Sequence, residues 1–291
     1  MWNIRTSVPE DIPAQRQLWK LAFGDEDAYI DNIYQIYYRP ERVLVLEEEG
    51  SIRAMMAWFD TVFRIPGEGD FRAAYLYAVA THPDCRGRGM SGALLAWADE
   101  YFQSLSIPAV TTVPARPSLH NFFGRNGFRE CFVLDQRKLE AENLPGPEPG
   151  VQVRRAAPEE YGALREELLG GTPHIAYPRQ ALEMQAGCCR VDGGGLYIGE
   201  SEQGPFCLCA EEAGPHLTVC KELLGGSAAR RAALSVLSEL GPDRAWLIRE
   251  PADLKNGGNS AEKFAMLKWI DQKTGKNWDW SRTAFLGLAF D

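Results

Sequence analysis

No stretch of this 291-residue chain approaches the ~18 uninterrupted apolar residues that a membrane-spanning helix needs, so no membrane partner is expected. The opening "MWNIRTSVPEDIP" lacks a charged start followed by an apolar core, so no secretory leader is expected. A basic excess is also missing: 31 Lys+Arg stand against 40 Asp+Glu, a net charge of −9. That balance disfavours nucleic acid, whose phosphates call for a basic surface, and mildly favours a cationic substrate. None of the seven cysteines (Cys85, Cys131, Cys188, Cys189, Cys207, Cys209, Cys220) forms a C-x-x-C pair, so no metal is expected. Their odd number, with no leader, reads as reduced thiols in a cytoplasmic protein.

What is present suits a globular α/β protein of about two domains, with 45% hydrophobic and 24% charged residues. "EAENLPGPEPG" (140–150) packs three prolines and two glycines into a linker. The expected division is a first domain at 1–140, a linker at 141–150 and a second domain at 151–291. The two halves open alike: "IRTSVPED" (4–11) and "VRRAAPEE" (153–160) place an apolar residue, an arginine, a proline and two acids at the same offsets. A short strand leading into a helix with proline and acids in its first turn explains both.

In the first half, residues 42–65 read as two strands joined at Glu49-Gly50, and 71–82 as a third strand. Met90, Ala93, Leu94, Trp97, Ala98 and Tyr101 mark one helical face. Residues 107–113 read as a strand, 118–128 as a short helix and 129–139 as a strand. The second half repeats the order weakly: strand 216–224, helix 228–240, strand 244–251, helix 260–270 and a closing strand 283–290. Hairpins followed by alternating strands and helices imply a mixed sheet.

Between the third strand and the first long helix stands "THPDCRGRGMSGALLAWADEY" (81–101). A core helix needs none of its glycines and arginines. The first turn of a helix offers unpaired N–H groups and a positive dipole end, and glycines let an anion approach them. Arg86 and Arg88 add charge-assisted donors. The stretch suits a diphosphate. It is not a P-loop, because Gly89 is followed by Met90 instead of lysine and a hydroxyl residue. A dinucleotide fingerprint fits Gly87, Gly89 and Gly92 only nominally, since 107–113 carries no acid for a ribose.

"R-G-R-G-M-S-G-A-L-L" resembles the R/Q-x-x-G-x-G/A motif of the Gcn5-related N-acetyltransferases (GNAT), with Arg86 at the opening position, Gly89 as the middle glycine and Ser91 where Gly or Ala is usual. "VATHPD" resembles that family's fourth strand, and "FFGRNGF" its fourth helix. The likeness covers about 2–140. With two linked halves, it points to two tandem GNAT-like domains, each a mixed, mostly antiparallel twisted sheet flanked by helices, the second degenerate. The arrangement most resembles the tandem-domain branch that includes the enhanced-intracellular-survival acetyltransferases, whose sterol-carrier-like third domain is not expected here. The resemblance implies acetyl-CoA as co-substrate, with its pantetheine arm along Val79, Ala80 and Thr81 and its diphosphate at Arg86, Gly87, Arg88, Gly89, Met90 and Ser91. It also implies a contact from Asn121.

The implied reaction is acetyl transfer to a primary amine: a small amine, an aminoglycoside-like compound or lysine. An amine of pKa ~10.4 must shed a proton to attack, and the departing thiolate must gain one. The family's usual proton donor is a tyrosine four positions before the glycine of "G-F"; here that position is Phe123, which has no proton to give. His120, one turn earlier, is one substitute. Tyr75 and Tyr77 share a strand face, and Tyr77 is another. Because the tandem branch brings its C-terminal carboxylate into the site, Asp291 is a third. A rival reading is a non-catalytic acyl-CoA-binding or interaction protein; self-association stays open.

Overall fold

The halves begin with one local device used twice. Strand β1 (Trp2–Thr6) leads to a turn in which Asp11 accepts from the Val8 amide at 2.8 Å and pairs with Arg5 at 2.6 Å. In the second half Glu160 accepts from the Ala157 amide at 3.2 Å and pairs with Arg154 at 2.8 Å. The matching offsets thus reflect an acid that caps a helix start and ties back to the preceding strand.

The computed structural model describes residues 2–252 and 261–290. After β1 come α1 (Ile12–Phe23), α2 (Asp27–Ile36), β2 (Val43–Glu48), β3 (Ser51–Ile65), β4 (Gly69–Thr81), α3 (Met90–Ser104), β5 (Ala109–Thr112), α4 (Pro117–Arg125) and β6 (Arg129–Leu139). The second half runs β7 (Gln152–Arg155), α5 (Pro158–Leu168), β8 (His174–Ala176), α6 (Arg179–Val191), β9 (Gly195–Ser201), β10 (Gly204–Glu212), β11 (Leu217–Gly225), α7 (Arg230–Ser235), α8 (Leu237–Leu240), β12 (Ala245–Pro251), β13 (Ala261–Trp269) and α9 (Gln272–Gly275). The expected helix at 228–240 is therefore two short helices.

The strands form one sheet in the order β1-β2-β3-β4-β5-β13-β6-β12-β11-β10-β9-β7, with β8 added to β3. Among the described strands only β4–β5 and β11–β12 pair in parallel, one such pair in each half. The mixed, mostly antiparallel sheet flanked by helices agrees with the sequence reading.

Two further elements differ from expectation. Most of residues 260–270, read as a helix, are strand β13, which sits between β5 and β6 and pairs antiparallel with both. Its Ala265 and Leu267 enter the core on one sheet face and Met266 the core on the other. A strand buried on both sides carries a continuous apolar run, which also fits a helical spacing. Residues 283–290, read as a strand, form only single bridges at Ala284 and Phe285. Gly287 then turns the backbone to φ +72°, and a Cβ there would lie 2.0 Å from Glu222 Oε2. The segment continues, buried, beneath β4.

The core lies on both faces of the sheet. Trp58, Leu76, Leu94, Phe102 and Met266 pack under α3 and α4. Phe59, Phe63, Tyr75, Phe132 and Phe290 pack on the opposite face, with α1, α2 and α6.

Candidate active site

Strands β4 and β5 run side by side from Ala73–Ala109 to Leu76–Thr112 and then part. β4 continues to Thr81, still paired with β3 at Ala80–Met55 and Thr81–Ala54. Between Tyr77 and Ala80 the register slips, and Ala78 adopts φ +47°. Such a bulge bends its strand and increases the local twist, which here carries β4 away from β5. One edge of β4 at Val79–Thr81 therefore faces a gap instead of a neighbouring strand.

The helix that follows opens on that gap. Gly87 and Gly89 sit at φ +77° and +85°, conformations that suit glycine, and Gly89 caps α3. The first bond into the helix is Ala93 N–H to Gly89 O at 3.0 Å. The amides of 87–92 donate to no protein group among the described residues. No heavy atom lies within 4 Å of a Cβ built on Gly87. Thr81 and Ser91 hydroxyls meet at 2.6 Å, tying the end of β4 to the first turn of α3, and Met90 anchors that turn in the core.

The two arginines differ. Arg88 grips Glu48 with both terminal nitrogens, at 2.6 and 2.9 Å, and holds that carboxyl below its usual range. Arg86 is exposed and makes no ion pair among the described residues. Asn121 is exposed on α4. Among the described residues the second half shows no equivalent: Arg230 and Arg231, beyond Gly225-Gly226, pair with Glu250 and Glu148 at 2.7 and 2.5 Å.

His120 Nδ1 lies 2.9 Å from Glu130 Oε1. Phe123 is buried against Phe122 and Phe128, with ring centres 5.1 and 5.4 Å away. Tyr77 lies on the other sheet face, its hydroxyl 3.0 Å from that of Tyr29 and its ring against Trp19, Phe59 and Phe290. Burial pushes the Tyr77 and Tyr29 hydroxyls well above the usual phenol range, so neither ionises near neutrality. Asp291 lies outside the described residues; Phe290 before it packs on Tyr75, Tyr77 and Tyr177, and its amide donates to the Tyr75 hydroxyl at 3.4 Å.

Sequence reading missed an acidic surround near Tyr77. Asp25 accepts from Trp19 Nε1 at 2.7 Å and bears on Tyr77. Asp192 is raised by burial, and then by the nearby charges of Glu211 and Asp25. Glu211 is tied to Lys221 at 2.7 Å and Gln185 at 2.5 Å. The available signals were "GDED" after α1 and the acid pair ending β10. Neither says which residues from the other half stand opposite.

Two strands parting beside a helix with unpaired first-turn amides form the candidate site. Residues 3–130, a little under half of the chain, match the family model described as acetyltransferase (GNAT) domain, so the first half carries a GNAT acetyltransferase domain. No curated protein matches the chain by sequence. Among solved structures, a probable N-acyltransferase from Enterococcus faecalis V583 is similar at 12% identity and TM-score 0.72, over 94% of this chain and 74% of that one. Eis1 from Mycobacterium abscessus is similar at 14% and 0.67, over 92% and 74%. A tandem GNAT protein from the clavulanic acid biosynthesis pathway is similar at 14% and 0.56, over 93% and 99%. These likenesses extend the shared fold through the second half.

Proposed function

We propose that the protein transfers an acetyl group from acetyl-CoA to a primary amine, with 1–140 as the catalytic domain and 151–291 as a degenerate partner that walls the acceptor side. The observation that carries this reading is the run of unpaired amides at 87–92 beside the gap between β4 and β5. Those donors, the open space at Gly87 and the uncommitted Arg86 fit a diphosphate. Gly87, Gly89, Met90 and Ser91 would hold it through their backbone, with Arg86 as the charged contact. Arg88 acts through Glu48, by fixing the loop. Val79, Ala80 and Thr81 offer strand backbone to the amides of the pantetheine arm, and Asn121 faces that arm from α4. When bound, the thioester supplies an activated acetyl group.

The remaining work falls to side chains. Tyr77 lines the acceptor side and keeps its proton, so it orients the amine through a hydrogen bond. Asp25 and Asp192 favour a cationic acceptor there, such as a small amine, an aminoglycoside-like compound or a lysine side chain, while Glu211 is already paired with Lys221. His120 stands on α4 in place of the usual tyrosine donor and is the group assigned to protonate the leaving sulfur. Following free thiol with acetyl-CoA and an amine panel tests the proposal. Amine-dependent thiol release is the expected result; tight coenzyme A binding without release would favour a non-catalytic acyl-CoA-binding protein.

A further inference from the structure

We infer that Glu130 is the positioning residue for His120, fixing its ring so that Nε2 is the nitrogen offered to the leaving sulfur. This rests on the proposed acetyl transfer. The sheet register places the pair. Trp58 faces Leu76, Leu76 faces Thr112, Thr112 faces Met266, and Met266 faces Glu130, across β3, β4, β5, β13 and β6. Residues directly opposite share a face, and Trp58, Leu76 and Met266 pack under α3 and α4, so Glu130 lies on that same side. The row contains the last β4–β5 pair before the gap. Strands stand about 4.8 Å apart, which puts Glu130 about 10 Å from Thr112 along the row. Helix α4 starts shortly after Thr112, and its first turn carries His120 over this row.

Within the pair the chemistry has one assignment. Glu130 Oε2 is buried with no hydrogen-bond partner, while Oε1 meets His120 Nδ1 at 2.9 Å. A carboxylate only accepts, so Nδ1 carries the hydrogen. Nε2 has no partner among the described residues and takes the second proton when the ring is charged. As the acetyl carbon bonds to the amine nitrogen, the carbon–sulfur bond breaks and its electron pair goes to sulfur. The Nε2 proton then completes the thiol. The ring is left neutral with hydrogen on Nδ1, and the proton shed by the amine passes to solvent, from which the ring is recharged. Glu130 holds the tautomer through this cycle and balances the ring's charge.

The test combines a spectroscopic and a kinetic readout. Nitrogen-15 NMR of the neutral His120 ring should show hydrogen on Nδ1 in the natural protein and on Nε2 in Glu130→Ala. Glu130→Ala should lower kcat about 10- to 100-fold, with KM for acetyl-CoA little changed. Glu130→Gln keeps the shape and an accepting oxygen, so it should retain the tautomer and lose less. In a His120→Asn background Glu130→Ala should add no further loss, as for groups acting as one unit. Hydrogen on Nε2 in the natural protein, an unchanged kcat in Glu130→Ala, or losses that multiply would each overturn the positioning role while leaving acetyl transfer intact. Absence of thiol release from the natural protein would instead remove the transfer reading, and the positioning role with it.

Discussion

The contrast between Arg86 and Arg88 gives the sharpest test of the proposed diphosphate site. The two arginines stand two residues apart with similar exposure, and the sequence treats them alike. The structure commits Arg88 to Glu48 through two short contacts and leaves Arg86 without an ion pair among the described residues. A charge-assisted hydrogen bond to a phosphate is worth about 1.5 kcal/mol at its exposed, weaker end. Since 1.4 kcal/mol is tenfold in affinity, Arg86→Ala should raise the Kd for coenzyme A about tenfold. Removing Arg88 alone would unmask the Glu48 carboxylate, so the clean control removes the pair together. Glu48→Gln with Arg88→Gln should keep Kd within about threefold, because the net charge offered to the ligand is unchanged. Calorimetric titration of both proteins at two salt concentrations provides the assay, and the Arg86 contribution should shrink as salt rises. The reasoning fails if Arg86→Ala binds within twofold of the natural protein, or if the paired variant loses more than Arg86→Ala does.

Three further outcomes follow from other parts of the molecule. Ala78→Val should destabilise the fold by more than about 1–2 kcal/mol, since a β-branched residue must adopt φ +47° at the bulge, and it should weaken coenzyme A binding as the gap distorts; Ala78→Gly should be at least as stable as alanine, and thermal unfolding would read both. Arg165→Met should cost about 3–5 kcal/mol by urea denaturation, because Glu222 is buried and among the described residues its carboxylate would keep only the Tyr161 hydroxyl, at 2.7 Å, after losing Arg165 Nε at 2.9 Å. Arg5 holds the Asp11 carboxyl below its usual range, so this pair contributes stability that is present above the unfolded carboxylate pKa of about 3.9 and is lost as pH falls through the lower folded value. Arg5→Leu should therefore lower the urea midpoint at pH 7, with a deficit that shrinks as pH falls below the unfolded value; a deficit that stays constant on acidification would refute the assignment.

The chain yields its local features readily and its long-range ones poorly. The start of α3 at Met90, the break at Gly89 and the hairpin at Glu49-Gly50 are all set by neighbours in sequence, through glycine conformation and apolar spacing. The stretch proposed to hold a diphosphate is local in the same way, since its unpaired donors are consecutive amides. What stays hidden depends on partners far along the chain. Nothing in "SAEKFAMLKWI" says that its middle will fill the slot between β5 and β6, more than a hundred residues earlier. Its apolar residues satisfy a helix face as well as a strand with two buried sides, and only the neighbours decide. Glu130 is the same problem at the scale of one side chain: in sequence it follows a glycine-phenylalanine turn and reads as an ordinary strand-start acid. Its bearing on chemistry appears only when β13 is in place, because Met266 completes the row that sets Glu130 on the face beneath α4. The strand contributed by the second half therefore does more than close a sheet. By fixing the register of β6 against β5, it settles where the carboxylate meets His120, so a chain segment without its own phosphate loop still shapes the proposed proton transfer.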